Sequence, residues 1–264
     1  MKLRSLLYVP ADNERFISRA HERCADAVIL DLEDSVRPDR RDLARDALAA
    51  SVKSAGQGGA KIFVRIHPET ATLDAAAARA AQADALYVAK SSRARIEALA
   101  AEFPGLPLFA LIEGPAALLD AAAIAAHPAV AGLSAGGEDL ATALGATPEP
   151  DVLRTPKLLI HYAAKAHGKF SLGLFRTVAD YADLPAIEAA AIEARRHGFD
   201  GATCVHPSAV AILNTVFSPT VEEIDWAQRV LAAAEATEAG AFALDGRMID
   251  APVIARARAI LAKD

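Results

Sequence analysis

The sequence predicts a (β/α)8 barrel, the TIM-barrel class, with a C-terminal helical extension. Three observations lead there: short β-rich runs alternate with longer helical stretches, eight such runs precede Phe217, and the pattern changes beyond it. Alternation of this kind builds a parallel sheet, and eight units in a chain of 264 residues favour closure into a barrel. An open doubly wound sheet is the competing topology. Hydrophobic residues make up 53% of the chain and aromatics only 5%, so the core must be built from alanine, leucine and valine. Such a mix suits closely packed helices around short buried strands.

The expected strands are 3–9, 27–32, 61–66, 85–89, 108–112, 130–134, 170–174 and 202–205, the seventh being the weakest in pattern. Helices fill the intervals. Asp183 and Pro185 open one, and His197-Gly198 close it, as capping preferences require. Residues 1–217 form the predicted catalytic barrel and 218–264 the extension. There Thr220 and Glu223 have capping-box spacing, a helix runs to about Glu238, a polar turn surrounds Asp245-Gly246, and Asp250-Ala251-Pro252 opens a last helix. A helical arm of this kind is expected to pack on a neighbouring subunit.

Charge and composition narrow the function. The net charge of −6 and the lack of any basic block argue against nucleic-acid binding. No run of eighteen uncharged apolar residues occurs, so no membrane span is expected, and the N-terminal apolar stretch is too short for a signal peptide. Cys24 and Cys204 lie far apart without metal or redox spacing and read as residues of a reducing, cytoplasmic compartment.

In such barrels the residues at the C-terminal ends of strands line the active site. Here they are Asp31, Glu33 and Asp34, then Arg65 and His67, Lys90, Glu113, Glu138 and Asp139, and His206. Acids gathered on one rim need positive charge to hold them together. A hard cation bound by oxygen is the simplest supply, and Glu113 with Asp139 suits Mg²⁺, or Mn²⁺ in its place. Each acid has a plainer reading as well, since Glu113 precedes a helix start at Pro115 and Asp139 follows two glycines at another. His67 and His206, each followed by proline, read as loop histidines rather than ligands. Arg65 ends a strand where an apolar residue would be ordinary; its guanidinium can clamp a carboxylate or an enolate oxygen, or simply pair with Asp31 or Glu33. Lys90 could form a Schiff base, but acids around it would raise its pKa and favour a charge-balancing role.

These residues resemble the HpcH/HpaI aldolase and citrate lyase β-subunit family, in its acyl-CoA lyase branch. The likeness runs through residues 4–10, 25–36, Phe63-Val64-Arg65, Leu111-Ile112-Glu113, Gly137-Glu138-Asp139-Leu140, Val205-His206-Pro207, 217–220 and 245–252. The resemblance implies Mg²⁺ on Glu113 and Asp139, with Asp31 and Glu33 near its waters and Arg65 and Glu113 at the substrate. It implies cleavage or formation of a carbon–carbon bond in a 3-hydroxy acyl thioester of malyl, citramalyl or citryl type. Asp250 resembles the acid/base that the extension carries into a neighbour's site, in a homo-oligomer such as a trimer or hexamer; as a helix N-cap it has a second reading. The chain departs from the family with Pro10-Ala11-Asp12-Asn13 after the first strand and with Gly201-Ala202-Thr203 before Cys204, so two basic anchors for a carrier are missing. Arg19 and Tyr8 are the remaining candidates for holding the carrier, CoA or an acyl carrier. A catalytically idle barrel in a larger complex is the alternative from another class.

Overall fold

The computed structural model describes residues 2–262 other than 180 and 238. Eight parallel strands form one sheet: β1 (Ser5–Pro10), β2 (Ala27–Asp31), β3 (Lys61–Ile66), β4 (Ala85–Val88), β5 (Leu108–Ile112), β6 (Val130–Ala135), β7 (Phe170–Leu172) and β8 (Ala202–Cys204). Their order is β7-β6-β5-β4-β3-β2-β1-β8, and a parallel bridge between Leu172 and Gly201 joins the two ends. The sheet therefore closes into a barrel, and the open-sheet alternative falls. At this seam β7 ends two residues earlier than the sequence suggests, because Gly173 turns to φ 146° and donates its N–H to the Gly201 carbonyl at 2.9 Å.

The two-residue period of the strands decides what faces where. Leu6, Ala27, Ile29, Phe63, Ala85, Tyr87, Phe109, Leu111 and Leu172 point inward and fill the barrel. Their neighbours Leu7, Val28, Leu30, Val64, Leu86, Val88 and Ala110 point outward and pack under the helices. Five of the fourteen aromatics, Tyr8, Phe63, Tyr87, Phe109 and Phe170, gather in the interior, where Phe63 and Phe109 lie 4.7 Å apart between ring centres. Gly132 makes room for them, since a Cβ there would stand 2.6 Å from the Phe109 ring.

The helix Leu184–Arg196 starts at Asp183, whose side chain accepts from the Ala186 N–H at 3.1 Å. Beyond the barrel, Thr220 and Glu223 form a complete capping box on the helix Val221–Glu235. That helix closes at Glu235, and its expected end at Glu238 lies outside the described residues. A hairpin of β9 (Phe242–Leu244) and β10 (Arg247–Ile249) follows, then the helix Ala251–Leu261. Asp245 and Gly246, both at positive φ, make its two-residue turn. Ala227, Val230, Ile249 and Ala257 give this extension a small apolar cluster of its own. Arg4 ties it to the barrel by donating to Ser218 Oγ at 2.9 Å. Among the described residues no helix is long and apolar enough to cross a membrane.

Candidate active site

The inward register of the strands continues past their ends, and that continuation builds the site. Ala27, Ile29 and Asp31 share one face of β2, as Phe63 and Arg65 share one of β3, and Phe109 and Leu111 lead to Glu113. Asp31 and Arg65 are directly paired across β2 and β3. Asp31 takes the guanidinium by its edge, with Nε donating to Oδ1 at 2.6 Å and Nη2 to Oδ2 at 2.7 Å. Nη1 faces Glu33 at 2.7 Å and Asp34 at 3.1 Å. The ring of Tyr8 lies under the cation, 5.0 Å from Cζ. Burial alone would raise the Asp31 carboxyl, yet Arg65, the Ser35 hydroxyl and the Glu33 N–H hold it below the ordinary range. Asp31 is thus a fixed anion that orients Arg65 and turns its Nη1 towards Glu33 and Asp34.

Glu113 caps no helix. Its Oε2 accepts the Lys90 N–H at 2.5 Å, and the helix Pro115–Leu119 begins at Gly114 without a side-chain cap. Two backbone features make this possible. Lys90 sits at φ 46°, an unusual conformation outside glycine that turns its N–H inward. Gly136 leaves space, for a Cβ there would lie 2.5 Å from Glu113 Cγ. Asp139 comes from the first turn of the helix Gly137–Leu144. Burial pushes the Glu113 carboxyl up to about 8, helped by the charges of Glu33 and Asp139 and by a hydrogen bond with Asp139, and opposed by the Lys90 N–H. Glu33 is pushed up to about 7, by burial first and by Asp34, against the pull of Arg65 and Lys90. Lys90 Nζ reaches Glu33 at 3.3 Å; burial lowers its pKa, but Glu33, Asp34 and Glu113 raise it further. That pairing is the one a charge-balancing lysine makes.

Converging carboxyl groups that hold protons well above their ordinary range want a cation. Glu113 and Asp139 supply hard oxygen donors, and no cluster of three or more histidine, cysteine, aspartate or glutamate ligands occurs among the described residues. The set fits an ion that takes few protein ligands and leaves its other positions to water or substrate oxygens. Both carboxylates line a cavity of about 400 Å³ with Tyr8, Asp31, Asp34 and Arg65. Its far side, across β7 and β8, mixes the apolar Leu172, Leu174, Val178, Phe199 and Val205 with Arg176, Thr177 and Thr203.

The structure does not bring every expected residue here. Arg19 lies in the last turn of the helix Glu14–Ala20, which runs back along the barrel from the mouth, and faces Glu22 at 3.7 Å. It is no part of the cavity wall. Asp250 is also absent from that wall; it caps the last helix by accepting from the Val253 N–H at 3.4 Å. His67 accepts from the Glu69 N–H at 3.2 Å, and His206 bonds Ser208 Oγ at 2.7 Å, as loop histidines do. Three contributors escape sequence reasoning. Ser35 bonds Asp31, Ser134 bonds the Tyr87 hydroxyl at 2.5 Å below the site, and Lys157 enters the cavity wall from a helix. Only Lys157 carries a legible sign, a cation on the helix face of Leu153, Ile160 and Ala164.

An acid-rimmed parallel barrel with an arginine clamped at its mouth is the architecture of a barrel enzyme. A family model, HpcH/HpaI aldolase/citrate lyase, matches residues 4–207, and the chain belongs to that family. It is 38% identical over 270 residues to a (3S)-malyl-CoA thioesterase of Cereibacter sphaeroides, covering 98% of this chain and 94% of the relative. It is 32% identical to the citrate lyase subunit beta of Escherichia coli K12, covering 98% of this chain and 92% of the relative. Among solved structures, protein CitE from Mycobacterium tuberculosis in complex with magnesium, acetoacetate and coenzyme A superposes with a TM-score of 0.80 at 31% identity, over 98% of this chain and 97% of that one.

Proposed function

We propose that the protein is a Mg²⁺-dependent enzyme of acyl thioesters, and that it cleaves or forms the carbon–carbon bond of a malyl-type 3-hydroxy acyl-CoA through an enolate. Glu113 and Asp139 are the metal ligands in this reading. The observation that carries it is the meeting of those two carboxyl groups in one cavity with a guanidinium whose Nη1 is shared with the exposed Asp34. Its support from relatives is the magnesium and coenzyme A bound by the M. tuberculosis protein.

The bound metal supplies Lewis acidity and a template for the hydroxyl and carboxylate oxygens of the substrate. Asp31 holds Arg65 so that Nη1 meets the oxygen on which negative charge grows, with Asp34, the more exposed partner, giving way. Tyr8 supports the guanidinium from below, a positioning part in this reading. The apolar wall receives the carbon skeleton and keeps water from the carbanion. Asp250 is proposed to deliver the proton to the enolate carbon from a neighbouring subunit.

Hydrolysis of the thioester is the second reading, favoured by the C. sphaeroides relative. Product analysis with malyl-CoA and Mg²⁺ separates the two. The lyase releases glyoxylate and acetyl-CoA; a thioesterase releases malate and a free thiol. Loss of turnover in EDTA, restored by Mg²⁺, is expected for either. Unchanged turnover in EDTA overturns the metal assignment, and free thiol without glyoxylate overturns the lyase.

A further inference from the structure

The loop after β7 is held in an unusual way. Lys157 projects from the helix Pro150–Ala166 and is only 5% exposed. Its Nζ donates to three successive main-chain carbonyls, Leu174 at 2.9 Å, Phe175 at 3.4 Å and Arg176 at 2.9 Å. Three oxygens that can only accept favour the ammonium, and such charge-assisted bonds are strong when buried. Burial draws the Lys157 pKa down to about 8, against the charge of Glu138, so the group is still charged at neutral pH. Thr177 and Val178 follow these carbonyls and line the cavity with Leu174 and Arg176. The same ammonium also borders the metal-binding side. A Cβ on Gly137, the first residue of the helix bearing Asp139, would meet Lys157 Nζ at 3.3 Å and Thr177 Cγ2 at 3.1 Å.

We propose that Lys157 is a positioning residue for specificity: it clamps residues 174–178 as one wall of the cavity, with Leu174 and Val178 its apolar part, and so sets the room for the acyl chain. The inference rests on the acyl-thioester reading for its substrate, though not for its geometry. Nothing about Lys157 requires it to touch reacting atoms. It acts through the loop, whose three successive carbonyls it gathers.

Lys157→Met keeps the length and bulk of the side chain but removes all three donors. Two measurements test it in the full-length protein. Amide hydrogen exchange in EDTA, without substrate, is expected to quicken roughly tenfold or more at residues 174–178 and to stay unchanged in β1–β6. Steady-state kinetics with malyl-CoA are expected to show KM raised about tenfold with kcat lowered less than threefold, the split that a lost binding wall produces. Lys157→Gln, which keeps one or two donors, is the second variant if the methionine form does not fold, and should fall between. Unchanged exchange at 174–178 overturns the clamp; a uniform rise across the barrel does so too, by showing plain destabilisation. Equal loss in kcat with KM constant overturns the role in specificity. Absence of any thioester turnover in the wild type would instead sink the function, and the exchange experiment would still decide the clamp.

Discussion

At the scale of single residues, the site stores unfavourable electrostatics where the chemistry needs them. Glu113 is the sharpest case, a carboxyl held at about 8 by burial and by the acids beside it. Its folded pKa lies above its unfolded value, so the contribution to stability is fully present below about 4.5 and is lost as the pH rises through 8. Replacing the group by a neutral amide removes that loss. Glu113→Gln should therefore raise the melting temperature of the EDTA-treated protein by about 2–6 °C at pH 8, with the gap closing towards pH 5. Mg²⁺ should stabilise the wild type and leave the variant unmoved, since binding to the folded state alone raises stability. Differential scanning fluorimetry across pH reads both effects. A variant less stable than wild type at pH 8 would mean that Glu113 is a structural anion and no metal ligand. Much of this was legible in the sequence, because Asp31, Arg65 and Glu113 continue an inward alternation that begins in apolar residues. Their mutual distances were not. Whether Glu113 capped a helix or turned inward depended on the φ of Lys90 and on the space at Gly136.

Among the elements, the eight strands could be placed from their apolar runs, with ends within two residues, since a buried strand needs β-branched and leucine-rich sequence whatever surrounds it. The seam between β7 and β8 was less visible, for two three-residue strands leave little periodicity and their pairing is long-range. The hairpin Phe242–Ile249 was seen only as a polar turn, because three residues on each side of Asp245-Gly246 are too few to show alternation. Arg19 was chosen for its charge alone, and charge does not say which end of a helix lies at the mouth. Close pairing of β8 with β1 depends on one missing side chain. A Cβ on Gly201 would fall 1.8 Å from the Leu3 carbonyl oxygen and 2.7 Å from that of Arg4. Both are backbone atoms leading into β1, so the start of β8 must move away from β1. Gly201→Ala should cost about 3 kcal/mol or more, read as a lowered urea midpoint. A midpoint within error of wild type would show that this pairing has slack that the geometry denies.

For the whole molecule, the extension poses the question of where Asp250 works. It lies on a unit with its own small core, and it takes no part in the cavity of its own chain. An acid there can serve a reaction only if the arm reaches another subunit, where Glu113 and Arg65 of that subunit would complete the site. Complementation distinguishes this from a capping role. Asp250→Asn and Glu113→Gln should each abolish turnover when pure. When the two are unfolded together in equal amounts and reassembled, a site is whole where the barrel comes from the first variant and the arm from the second. Random mixing makes that about one site in four, in a ring of any size. Recovery of about a quarter of wild-type turnover is the expected outcome, with none on mixing after separate refolding if subunits do not exchange. No recovery in the co-refolded sample, with oligomers verified by sedimentation, would confine Asp250 to capping its helix. The proton donor would then have to be sought among the acids of the barrel mouth itself.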